Sequence, residues 1–94
     1  MNRNDVYIEK LDARLEEWRA KIDELEAKAK RAKADAKISY LDEVRQLKGK
    51  QQEARQKLDE LRAAGDDLVG ELKSGAEEIW DDLGRSIERA VENF

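Results

Sequence analysis

YIEKLDARLEEWRAKIDELEAKA, residues 7–29, is the stretch whose spacing decides the fold. Its apolar residues fall at Ile8, Leu11, Leu15, Trp18, Ile22, Leu25 and Ala29. The steps alternate three and four, the period of a helix that buries one narrow stripe. Ile8, Leu15, Ile22 and Ala29 take the a positions of a heptad, and Leu11, Trp18 and Leu25 the d positions. A strand would alternate every second residue, and this segment does not. The residues between the apolar ones are mostly Glu, Lys, Arg and Ala, which favour helix. The stretch therefore reads as a coiled-coil helix.

Working outward, the seam thins to Ala32 and Ala36, then runs through Tyr40, Val44 and Leu47. The steps of four, four and three make an eleven-residue unit, which locally unwinds a left-handed supercoil. Heptads resume through Gln51, Ala54, Leu58, Leu61, Gly65, Leu68 and Leu72. The alanine zone buries little apolar surface per turn, so it is expected to be the weakest part. Upstream, Asn4 or Asp5 suits the N-cap. Two glycines compete as a break. Gly49 is isolated within a helical pattern and reads as tolerated helix. Gly65, in LRAAGDDL, suits a helix end, and Asp66 and Asp67 suit the positive start of the next helix.

The expected architecture is all-α, a single helical domain over 1–94. A long coiled-coil helix covers about 4–64. A shorter amphipathic helix covers about 66–93 and packs antiparallel on the first helix or on a partner chain. Its face differs from the narrow seam. Leu68, Val69, Leu72, Ala76, Ile79, Trp80, Leu83, Ile87, Ala90, Val91 and Phe94 spread over an arc of about 140° at ~100° per residue. That width suits two neighbours or a lipid surface. Gly84 sits just past its edge, where a neighbouring backbone could come close. The expected core and oligomer contacts are Leu11, Leu15, Trp18, Ile22, Leu25, Leu58, Leu61, Leu68, Leu72, Ile79, Trp80, Leu83 and Ile87.

Composition narrows the function classes. Of 94 residues 45% are charged, 39% are apolar and 5% are aromatic, and there is no Cys, His or Pro. The missing Cys removes disulfides, thiolate nucleophiles and zinc knuckles. The missing His removes the usual proton shuttle at neutral pH. Ser39, Ser74 and Ser86 thus have no imidazole to activate them. A di-metal bundle would want inward Glu-x-x-His pairs, which the chain lacks. No catalytic, metal or cofactor site is expected, and the protein is not expected to be an enzyme. So few apolar residues suggest a shared core, hence homo-oligomerisation.

Charge bears on partners. The net charge is −4, but residues 1–65 carry +2 and residues 66–94 carry −6. KAKRAKADAK, residues 28–37, is basic. It lacks interleaved aromatics, so it reads as a solvated face rather than a nucleic-acid contact. In a parallel dimer of the long helix, Arg14 would meet Arg19 and Lys28 would meet Lys33, so antiparallel pairing is favoured. The start, MNRNDVYIEK, has no apolar run, and no stretch approaches the ~20 apolar residues of a membrane span. A cytoplasmic setting is expected.

Tyr7, Glu9-Lys10-Leu11, Glu17-Trp18, Ile22-Asp23-x-Leu25, Lys57-Leu58-x-Glu60-Leu61, Trp80 and Phe94 resemble a family of small bacterial coiled-coil domain-containing proteins. Val69 stands where that family is expected to carry an aromatic. The resemblance implies helical architecture and no established activity. A looser likeness to apolipoproteins and phasins rests on the wide C-terminal face. It implies an alternative role, coating lipid or storage granules through residues 66–94.

Overall fold

Among the described residues the chain forms three helices of nearly equal length: α1 (Arg3–Arg31), α2 (Ala34–Ala63) and α3 (Asp66–Asn93). The computed structural model describes residues 3–94. A helix of 30 residues is about 45 Å long. The molecule measures 50 × 19 × 19 Å, so its long axis is one helix and its width is three helices packed side by side.

The helix expected over 4–64 is two helices. It breaks at Ala32–Lys33, where Lys33 turns extended with φ −63 and ψ 153. No Gly or Pro stands there. The break falls in the alanine zone, where continuing the helix buries least. Charge also marks the ends. Lys28, Lys30 and Arg31 occupy the last turn of α1, and Asp35 the first turn of α2, each beside the helix pole of opposite sign. Gly49 lies inside α2, as expected. The second break falls at Ala64–Gly65. Gly65 is not left-handed there: both residues are extended, and Gly65 precedes α3 with φ −72. Asp66 and Asp67 occupy the first turn of α3. At the other end α1 is already helical at Arg3, so the cap expected at Asn4 or Asp5 falls within the first turn instead.

α1 and α2 run antiparallel, since Asp12 faces Arg62 and Glu26 faces Lys48. α3 runs parallel to α1, with Asn4 near Asp66 and Trp18 on Gly84. The result is an up-down-up three-helix bundle.

Its core is one side chain deep. Leu11, Leu15, Ile22, Leu25 and Ala29 of α1 meet Val44, Leu47, Ala54, Leu58 and Leu61 of α2. Val69, Ala76, Trp80, Leu83, Ile87 and Ala90 of α3 close it. The seam expected to need a second chain is thus buried by its own chain. The wide face of α3 has two neighbours, which its arc called for. Trp80 anchors it: its indole N–H donates to the Leu11 carbonyl at 3.1 Å across the core. At the far end Tyr40 stacks on Phe94 with centroids 4.4 Å apart, and its hydroxyl donates to the Asn93 carbonyl.

Four expected core residues differ in degree. Leu68 is 52% exposed, because Val69 takes the inward position at the start of α3. Trp18, Leu72 and Ile79 are partly buried against the core margin. The two tryptophans therefore separate in energy. Truncating a buried Trp costs ~3–5 kcal/mol, so Trp80→Ala is expected to lower the melting temperature sharply. Trp18→Ala should lower it by clearly less. Thermal melts followed by circular dichroism check this, and equal losses would contradict the placement of Trp18.

Candidate interaction surface

A three-helix bundle has three outer seams, and their side chains differ. Along α1–α2, Arg62 lies 3.0 Å from Asp12, Arg55 bridges Asp12 and Glu16 at 3.7 Å each, and Lys48 pairs with Glu26. Along α2–α3, Lys50 lies 3.0 Å from Asp82 and donates to the Ser86 hydroxyl at 2.8 Å. Such surface pairs are worth at most ~1 kcal/mol each. Their arrangement selects which helix lies beside which, and in what register. α2 supplies the cations on both of its seams. A depression of about 590 Å³ between α1 and α2 is lined by Glu16, Lys48 and Arg55, whose charges are paired, and by Arg19 and Asp23, which form no ion pair among the described residues.

The α1–α3 seam is built otherwise. Among the described residues no ion pair joins α1 to α3. Two shallow depressions follow one another along it. The first has Tyr7, Leu11 and Trp80 on its floor, Lys10 and Arg14 on the α1 lip, and Glu77 and Asp81 on the α3 lip. The second has Trp18, Ile87 and Val91 on its floor, Glu17 and Lys21 on the α1 lip, and Glu88 and Glu92 on the α3 lip. Val91 is 41% exposed.

Gly84 forms the seat of the second depression. A Cβ there would stand 3.1 Å from Trp18 Cζ2, so the missing side chain lets the indole lie against α3. The close approach expected at Gly84 is real, but the neighbour is a ring rather than a backbone. In the first depression, the Tyr7 hydroxyl is buried without a hydrogen-bond partner. Burial pushes its phenol above the ordinary range; Glu77 adds to this and Arg14 opposes it. Lys73 Nζ sits 4.6 Å from the Tyr7 ring centroid, a cation–π contact worth ~0.5–1 kcal/mol at an exposed site.

The structure brings most of the expected contact residues into one intramolecular core. It leaves Trp18 on the open seam and turns Leu68 outward. The seam itself was not foreseen. Its signal was present as charges four or three apart on residues 10–21 and 77–88, but seeing it requires knowing that α1 and α3 lie side by side.

The described residues include no group of carboxylates placed to hold a metal ion. No described helix is long and apolar enough to cross a membrane. No family model, curated protein or solved structure matches the chain.

One ion pair gives a pH dependence. The hydrogen bond from Lys48 holds the Glu26 carboxyl below its usual range; burial opposes this, and the charges of Lys48 and Lys30 add to it. A lowered folded pKa stabilises the fold above the unfolded carboxylate value of ~4.3. That contribution disappears as pH falls through the lowered folded value. Lys48→Met removes the partner, so its melting temperature should fall less between pH 7 and pH 3 than that of the parent chain. Parallel pH profiles would show that the pair does not link to folding.

Proposed function

We propose that this protein is a non-enzymatic structural or interaction protein whose work is self-assembly through its helices. The observation that carries this reading is the contrast among the seams. Two are crossed by ion pairs, and the third keeps an apolar floor between charged lips that no ion pair joins among the described residues. A floor with Trp18 and Val91 partly open is the composition of a contact patch, where aromatic anchors supply affinity and a polar rim supplies specificity. The chain's chemistry supports the non-enzymatic side: it has no His and no Cys, and its charges lie on the surface. The 50 Å rod offers a long face for such contacts. On this reading no cofactor or nucleic acid is needed, and the setting is cytoplasmic.

The alternative role is lipid or granule coating by residues 66–94. It would require α3 to leave the core, because Trp80, Leu83 and Ile87 are buried there. The polar side of α3 also carries Glu77, Glu78, Asp81, Asp82 and Glu88, which anionic lipid repels. Sedimentation equilibrium from micromolar to millimolar concentration, paired with addition of anionic phospholipid vesicles, separates the two. Self-assembly predicts an apparent mass that rises with concentration and a tryptophan emission unchanged by vesicles. A strict monomer whose emission and helicity change on vesicle addition would overturn the proposal.

A further inference from the structure

We infer that the α1–α3 seam is the docking face for a second copy of this chain, as a parallel two-fold dimer in which α1 of each copy lies on α3 of the other. The inference rests on the self-assembly reading above and gives it a surface and a geometry.

The order of the charges fixes how two copies can meet. Along α1 the lip reads Lys10, Arg14, Glu17, Lys21: positive, positive, negative, positive. Along α3 the lip reads Glu77, Asp81, Glu88, Glu92, all negative. The two series sit at the same levels of the bundle. Lys10 and Arg14 line one depression with Glu77 and Asp81, and Lys21 lines the next with Glu88. None of these eight makes an ion pair across the seam within its own chain; Lys21 pairs only with Glu24 on α1.

Symmetry decides how a second copy sits. A two-fold axis along the bundle places each α1 lip on the other copy's α3 lip, pointing the same way. Three levels then pair opposite signs: Lys10 with Glu77, Arg14 with Asp81, and Lys21 with Glu88. The other face-to-face two-fold, across the bundle, places α1 on α1 in reverse. Centred on the same stretch, it sets Lys10 against Lys21 and Glu77 against Glu88. It keeps only Arg14 with Glu17 attractive and sets the acidic α3 lips against each other. Charge complementarity therefore selects the parallel arrangement. The floor supports it too. Trp18, Ile87 and Val91 of the two copies would meet over Gly84, so the core gains a four-helix section built from α1 and α3 of each chain.

The test uses charge reversal on exposed residues. Lys10→Glu with Arg14→Glu makes both lips acidic at the first depression. Glu77→Lys with Asp81→Lys makes both basic. Each double variant alone is expected to bind itself at least tenfold more weakly than the parent chain, at low salt. An equimolar mixture is expected to restore a heterodimer, because an acidic α1 then meets a basic α3 and the converse. Sedimentation reads both results, and circular dichroism verifies that each variant is folded. In the parent chain, Trp18 emission should shift to the blue as concentration rises, and the shift should vanish in Trp18→Phe. If the variants dimerise as the parent does, or their mixture stays monomeric, this face is wrong, although self-assembly stands. If the parent chain is itself a monomer at millimolar concentration, both readings fail.

Discussion

The apolar face of α3 is too wide for one neighbour, and covering it organises the rest of the bundle. A heptad seam like that of residues 8–29 occupies one partner. The face from Val69 to Ala90 needs two, on either side of Trp80 and Leu83. A single helix through residues 4–64 would offer α3 one wall along half its length. Folding that helix at Ala32–Lys33 makes a two-helix platform whose groove matches the face. Trp80 then reaches across to the Leu11 carbonyl and ties the third helix to the first. A buried indole N–H without such a partner would cost ~1–3 kcal/mol, so this contact also fixes the depth at which α3 sits.

Much of this was legible in the residues. Helix, amphipathic width and the continuity through Gly49 follow from the period; Gly65 and the two aspartates after it mark the place of the second break, although Gly65 is extended there rather than left-handed. The break at Ala32–Lys33 was not read, because the seam of Ala29, Ala32 and Ala36 keeps its phase across the turn. The hints lay in energy rather than in pattern. Alanines bury little, and the cations of residues 28–31 together with Asp35 mark a helix end and a helix start. Heptad phase indicates which side of a helix is apolar; it does not reveal whether the helix continues.

Leu68 and Trp18 show a second limit. Leu68 lies on the apolar arc of α3 and Trp18 on the heptad seam of α1, and neither is fully buried. At the start of α3 one inward position is available, and Val69 holds it. Trp18 lies on the α1–α3 seam, where Gly84 lets its ring rest against α3. Such margins depend on which helices become neighbours and at what offset, which no single helix encodes. The same holds for the charge series on residues 10–21 and 77–88. Their complementarity exists only once the two helices stand level.

The bundle depends on one chain turning at Ala32–Lys33 and lying back along itself. The chain has no cysteine, so Ala13→Cys with Ala63→Cys accepts two spin labels at exposed sites on α1 and α2. Double electron–electron resonance, with the labelled chain diluted in unlabelled protein, reads the distance within one molecule. Packed helix axes lie ~8–10 Å apart, so the account predicts a narrow distribution below about 25 Å. A distribution near ~75 Å, the length of fifty residues of unbroken helix, would contradict it.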